Sequence, residues 1–342
     1  MWRGRKGLIV ATGSMLRATR LRPARVLRRW TAIVRRPAVV STLLLSVTGY
    51  GIGPQLELDS YPVKVFSLVH RHHDFVPTES PAARASERLD EESPAVRARV
   101  HSALAAAAPD QRPYVLKVLA DGHSAADVVS FAGLIRGKRP RWLRTHLNLI
   151  DPEGSGSVMY RSSPVEQTDD TTCGSMTVLM ARAMTDPLYA LYLTTGDSAD
   201  RADARPDQFQ ARLTAEEHRI HDATNHFWPQ RLGSTPLGVS NELNRHADAL
   251  GAQYKPRLVA GTGGKSALAD AVKAAGTGQP VPVLIGDWLP RHYILLIGID
   301  GADLLFYEPG YATVDRISEQ SFLIGKIDVV GFHHVFAVVT PR

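Results

Sequence analysis

The chain has 342 residues, 44 % hydrophobic and 22 % charged, which is ordinary for a globular protein and enough for one large or two smaller domains. Residues 1–50 hold eleven Arg or Lys and no Asp or Glu, so removing them from the formal +6 leaves −5 on the remainder, and the body offers no electrostatic case for nucleic-acid binding. The single cysteine, Cys173, excludes an intrachain disulfide and any multi-cysteine zinc site, while leaving one thiol free for chemistry.

The first segment, residues 1–56, is a basic tail with a short apolar stretch. Arg-rich sequence from Trp2 to Arg36, ending in Arg35-Arg36, leads into Pro37–Gly53, the layout of an export signal with an extended basic region. The apolar run is about 16 residues, short of the ~20 that span a bilayer, and lacks a clear small-x-small cleavage site. The expectation is export or membrane-surface contact through residues 1–53 in preference to a cytoplasmic location, without a stable transmembrane helix. A disordered basic tail, an amphipathic surface segment and a start codon placed too early stay open.

Residues 57–150 read as a helical extension. Val63–Val69 has the pattern of a strand, and His70-Arg71-His72-His73-Asp74 lacks ligand spacing and reads as a solvated loop. Glu79–Glu92 reads as a linker or frayed helix. Four helices follow from their start and stop signals: Pro94–Ala108 after a Ser93 cap, Pro109–Ala120, Ala125–Arg136 after a Ser124 cap, and Arg139–Ile150 with Trp142, Leu143, Leu147 and Leu149 as apolar contacts. Nothing in this block carries chemistry; packing onto the rest of the chain and binding a partner are both open.

Residues 151–342 form the third segment, entered through a flexible joint, Asp151–Ser157. Gln167 stands six residues before Cys173, which opens a helix with Met176, Leu179, Met180 and Ala183 as its core stripe. Candidate helices follow at Thr214–Phe227 and Ser240–Leu250. His218 and His221 lie three apart, but no Glu follows the first as a zinc-protease helix requires. Gly261–Ser266 resembles a phosphate-binding loop, yet Val259 occupies the place of its first glycine; Ser266 capping a helix Ala267–Ala275 explains the same residues. Neither a metal nor a cofactor is expected. The last third is strand-rich: Val281–Ile285, His292–Ile299, Leu304–Tyr307, Ala312–Ile317 and Val335–Val339, with Asp300-Gly301 as a hairpin turn and His333-His334 facing solvent.

The order of parts is chemical. A thiol is only slightly ionised at neutral pH. A helix N-terminus favours its thiolate, and an imidazolium favours it more. His292 would then act as general acid toward a leaving amine. Glu308, ending the next strand sixteen residues later, would orient the ring. The Gln167 amide and Cys173 N–H would serve as oxyanion donors. Asp169 and Asp170 oppose thiolate formation by their charge.

Gln167–Gly174 (Gln-x5-Cys-Gly), the strand His292-Tyr293 running to Gly298-Ile299-Asp300, and Leu304–Pro309 together resemble the papain-like cysteine peptidases related to the bacterial double-glycine leader peptidases of bacteriocin exporters. Gly278–Ile285 is similar to the strand that precedes the histidine strand in that family. The resemblance covers about Glu166 to Thr340. It implies an α+β, papain-like fold, with a helical half carrying the nucleophile packed against a C-terminal antiparallel sheet. It implies a cysteine peptidase or amide hydrolase acting on a peptide or amide through an acyl-enzyme, with Cys173, His292, Glu308 and Gln167 in the site. The third catalytic position holds Glu308 where the family has Asp or Asn, and Asp186–Pro256 is longer than the family's corresponding region. The alternative is a catalytically silent papain-like domain used for binding or tethered at a membrane.

Overall fold

Proline and serine set where the first helices start. A computed structural model describes residues 81–150, 154–196, 205–225, 231, 233–260 and 263–342; the expectations for the basic tail, for Val63–Val69 and for His70–Asp74 lie outside the described residues. Helices α1 (Pro81–Glu91), α2 (Pro94–Ala106), α3 (Arg112–Ala120), α4 (Ala125–Ile135) and α5 (Pro140–Leu147) build the extension. The Ser93 side chain accepts from Val96 N–H, and Ser124 forms a reciprocal capping box with Asp127, satisfying donors that a helix start leaves orphaned. Of the linker or frayed helix expected at Glu79–Glu92, the structure has a helix, α1, because Ala85 and Leu89, one turn apart, are buried in the core of the extension. Tertiary burial there overrides a polar composition. Helix α3 starts at Arg112 rather than Pro109, and α5 stops at Leu147, short of Ile150.

Beyond the extension come β1 (Gly156–Ser157), β2 (Met159–Tyr160), β3 (Ser163–Pro164), α6 (Cys173–Thr185), α7 (Pro187–Thr195), α8 (Pro206–Thr224), α9 (Pro236–Asn244) and α10 (Ala247–Leu250). The remainder is β4 (Tyr254–Leu258), α11 (Gly264–Gly276), β5 (Val281–Gly286), β6 (Pro290–Asp300), β7 (Asp303–Glu308), β8 (Thr313–Ser318), α12 (Glu319–Leu323), β9 (Lys326–Val329) and β10 (Phe332–Pro341). The chain is thus mixed helix and sheet, with a curled antiparallel sheet in the order β1-β8-β7-β6-β5-β10-β4 and β9 paired to β10. Alternation along β6 divides its side chains between two cores. Tyr293, Leu295 and Ile297 join Met176, Leu179 and Met180 of α6, whereas Ile294 and Leu296 join Ala267, Leu268 and Ala271 of α11.

Several boundaries differ from the sequence reading. Gly156 and Ser157, expected in a flexible joint, pair with Val314 and Thr313 at the sheet edge. Helix α8 begins at Pro206 because buried Phe209 and Leu213 extend its apolar stripe. The single helix expected over Ser240–Leu250 is two, the first opened by a Thr235 cap and Pro236. Helix α11 starts at Gly264, and Ser266 Oγ donates to the Gly263 carbonyl instead of capping the helix. Helix α7 and strand β4 lie where no element was expected.

Because α6 both fills the larger core and carries the cysteine, its packing is the fold's contribution to the site. Leu179→Ala should destabilise the protein by about 2–5 kcal/mol, the usual cost of emptying a fully buried leucine site, read as a lowered midpoint in urea denaturation.

Candidate active site

Cys173 is the first residue of α6, so its N–H has no acceptor within the helix and lies at the positive end of the helix dipole. Its thiol is free, and the residue is only 3 % exposed. The next residue must be small. A Cβ on Gly174 would stand 2.8 Å from Ser234 Cβ and 3.2 Å from Tyr293 Cδ2. The missing side chain lets the helix start press against β6, which carries the histidine.

His292 is 6 % exposed. Its Nε2 lies 2.7 Å from Glu308 Oε1, and the ring also hydrogen-bonds Cys173, which leaves Nδ1 as the nitrogen for the thiol. One face of the imidazole stacks on Phe332, with ring centroids 6.0 Å apart. Burial opposes the imidazolium, but the hydrogen bonds to Cys173 and Glu308, reinforced by their charges, outweigh it and push the ring up to about 10. The Glu308 carboxylate, 1 % exposed, is fully engaged. Oε1 accepts from His292 Nε2 and Gly310 N–H, and Oε2 accepts from Tyr311 N–H, each at 2.7 Å.

A β-bulge makes this pairing possible. The β6–β7 hairpin closes with Asp300 opposite Asp303, but a shift between Leu296 and Gly298 puts Leu295 opposite Tyr307. Continued one step, that register sets Glu308 opposite Ile294, on the same sheet face as His292. Without the shift Glu308 would oppose Leu295 and share the other face, since a one-residue slip inverts every side chain.

Gln167 reaches the site by its backbone: its N–H donates to the Pro309 carbonyl at 2.8 Å, one residue past Glu308. Its side-chain Nε2 donates to the Asp169 carbonyl at 2.7 Å, using one of two amide hydrogens, and its Oε1 is buried with no partner. The Asp169 carboxylate is taken up by the Thr171 N–H and hydroxyl, both at 2.7 Å. The structure therefore brings Cys173, His292 and Glu308 into one hydrogen-bonded row and ties Gln167 to the loop that ends it.

One participant escaped the sequence reading. Glu217 of α8 is 0 % exposed and accepts from the Thr168 backbone N–H at 3.1 and 3.0 Å on its two oxygens. The Thr168 hydroxyl bonds it as well, whereas the Thr172 hydroxyl donates to the Asp169 carbonyl at 3.1 Å. Its signal was available: Phe209, Leu213, Glu217 and Ile220 fall on one helical stripe, all buried, and a carboxylate in an apolar stripe asks for a reason. His221 of the same helix is buried beside Ser175 and Asn225. Among the described residues no group of His, Cys, Asp or Glu could hold a metal ion, and no helix is long and apolar enough to cross a membrane.

No protein-family model matches the chain, and neither does any curated protein.

Two outcomes follow from this geometry. A Cβ on Gly310 would sit 3.0 Å from Glu308 Oε1, an oxygen that cannot yield without leaving His292. Gly310→Ala should therefore cost activity about tenfold or more, as a small misplacement of a reacting group does, with the loss seen in kcat. Second, the raised pKa of His292 makes the imidazolium a stabilising group. Its contribution should be complete below the unfolded value near 6.5 and fade as pH rises toward about 10. The stability gap between wild type and His292→Gln in urea melts should accordingly shrink from pH 6 to pH 10.

Proposed function

We propose that this chain is a papain-like cysteine hydrolase that cleaves a peptide or amide bond through an acyl-enzyme on Cys173. The observation that carries the reading is the position of His292, hydrogen-bonded on one side to Cys173 and on the other to the buried Glu308 carboxylate. The Cys173 thiolate attacks the carbonyl carbon and forms the C–S bond. The carbonyl π electrons move to the oxygen, which the Cys173 N–H and the remaining Gln167 amide hydrogen stabilise. Collapse expels the amine, which takes the proton held on His292 Nδ1. Water then attacks the thioester with its proton passing to His292, and the carboxylic acid leaves as the thiolate reforms. Glu308 keeps its place throughout, holding the proton on Nε2 and compensating the imidazolium. Attachment or export through residues 1–53 belongs to the same proposal.

A second reading, a catalytically silent domain that binds rather than cuts, has one observation in its favour: cysteine and histidine are 3 % and 6 % exposed, leaving little open surface for a substrate. Thiol labelling separates the two. Iodoacetamide should modify Cys173 at about pH 6, where an ordinary thiol is almost wholly protonated, and His292→Ala should abolish that rate. Cys173→Ser and His292→Ala should each remove hydrolysis of a peptide-library substrate by several orders of magnitude while circular dichroism stays native. A thiol that reacts only above about pH 8 would establish the silent domain.

A further inference from the structure

We infer that Glu217 is a positioning residue for the oxyanion site, holding from α8 the segment Gln167–Thr172 so that the Gln167 amide and the Cys173 N–H converge on the carbonyl under attack. The inference rests on the acyl-transfer reading above.

Glu217 is fully buried on the stripe that otherwise packs Phe209, Leu213 and Ile220 into the core. Among the described residues no cation forms a salt bridge with it; its charge is met by the Thr168 N–H and hydroxyl. Both donors belong to Thr168, and the loop from there to Cys173 is closed by the Thr172 hydroxyl, which accepts from Asp169 N–H at 3.2 Å and donates to the Asp169 carbonyl at 3.1 Å. Thr168 directly follows Gln167, and Thr172 directly precedes Cys173. Thr168 itself is an exposed residue in a polar surface loop, a segment that its own packing would not hold. One carboxylate thus pins the Gln167 end of the loop, and the bonds between the Thr172 hydroxyl and the Asp169 backbone carry that hold to the residue before Cys173. The Gln167 backbone bond to Pro309 and its side-chain bond to Asp169 fix what lies between. A buried charge is costly, and burial pushes the Glu217 carboxyl up from its ordinary range. A leucine would suit the fold better; a multiple acceptor suits the loop.

The test compares two reactions of one thiol. Alkylation by iodoacetamide forms no oxyanion, whereas turnover of p-nitrophenyl acetate does. In Glu217→Ala, turnover should fall about 10²-fold, as expected when an oxyanion donor is misplaced, while the alkylation rate stays within about twofold because His292 still sets the thiolate. Glu217→Gln should lie between wild type and alanine in turnover and melt no lower than wild type, since the buried charge is gone. Thr168→Val, which removes only a hydroxyl, should reproduce a smaller turnover loss with normal alkylation. Unchanged turnover in a folded Glu217→Ala overturns the inference. So does a parallel fall of both rates together with the melting temperature, which is the behaviour of a structural residue. A wild-type protein that neither alkylates at about pH 6 nor turns over the ester removes the hydrolase reading itself, and this inference with it.

Discussion

The Glu308 carboxylate is the fixed point from which the rest of the site takes its geometry. A carboxylate removed from water costs several kcal/mol unless its lone pairs are met, and here three donors meet it at 2.7 Å. Two of them are backbone N–H groups of the turn that follows Pro309, so the carboxylate is held whether or not the histidine is present. The imidazole therefore docks onto an acceptor already in place, which sets the proton on Nε2 and turns Nδ1 toward the thiol. The choice of Glu also finds an explanation in the register. Glu308 lies opposite Ile294 by continuation of the observed pairing, which makes His292 its diagonal neighbour. Diagonal positions are about 7–8 Å apart across an antiparallel pair, and the additional methylene helps span that offset.

The bulge that creates this register marks where the sequence stops being readable. The capping residues Ser93 and Ser124, the stripe Met176–Leu179–Met180–Ala183 and the strands around His292 and Glu308 are local signals, and each corresponds to an element of the structure. The turn after Asp300 is local as well, with Gly301 at φ +64°. The bulge is not local. Gly298 is compatible with a regular strand, and only the packing of Leu295 with Tyr307 on one face and Leu296 with Phe306 on the other fixes the shift. Reading the hairpin straight back from its turn brings the two residues to the same end of the sheet but to opposite faces.

Edges and tertiary burial account for the other omissions. Strand β4, Tyr-Lys-Pro-Arg-Leu, carries a proline and two cations, a poor pattern for a strand but an acceptable one at the end of a sheet, where one side of the ladder needs no partner. Strand β1 is two residues of Gly and Ser whose pairing is decided by β8. Glu217 was hidden for the opposite reason: its type says surface, and only the spacing of its apolar neighbours says core.

The two ends of α6 are treated differently, and the difference bears on the thiol. At its C-terminus the helical extension supplies a cationic donor. Lys117 Nζ donates to the Met184 carbonyl at 2.6 Å, and Arg182, within α6 itself, stands 3.5 Å from Asp186. Asp186 also caps α7 through Tyr189 N–H and bonds His123. The Met184 carbonyl, which the helix would leave orphaned, is thereby satisfied, and the cations beside it offset the negative end of the dipole. At the N-terminus no acidic residue stands in the first turn and no side chain caps the helix; the Asp169 carboxylate, three residues before the N-cap Thr172, is bound instead by Thr171. The positive end of the dipole is thus left to Cys173. On the acyl-transfer reading this asymmetry favours thiolate and oxyanion alike, since both place negative charge at the same helix start. It also gives the extension, which bears no chemical group of its own in the site, a physical reason to be packed where it is.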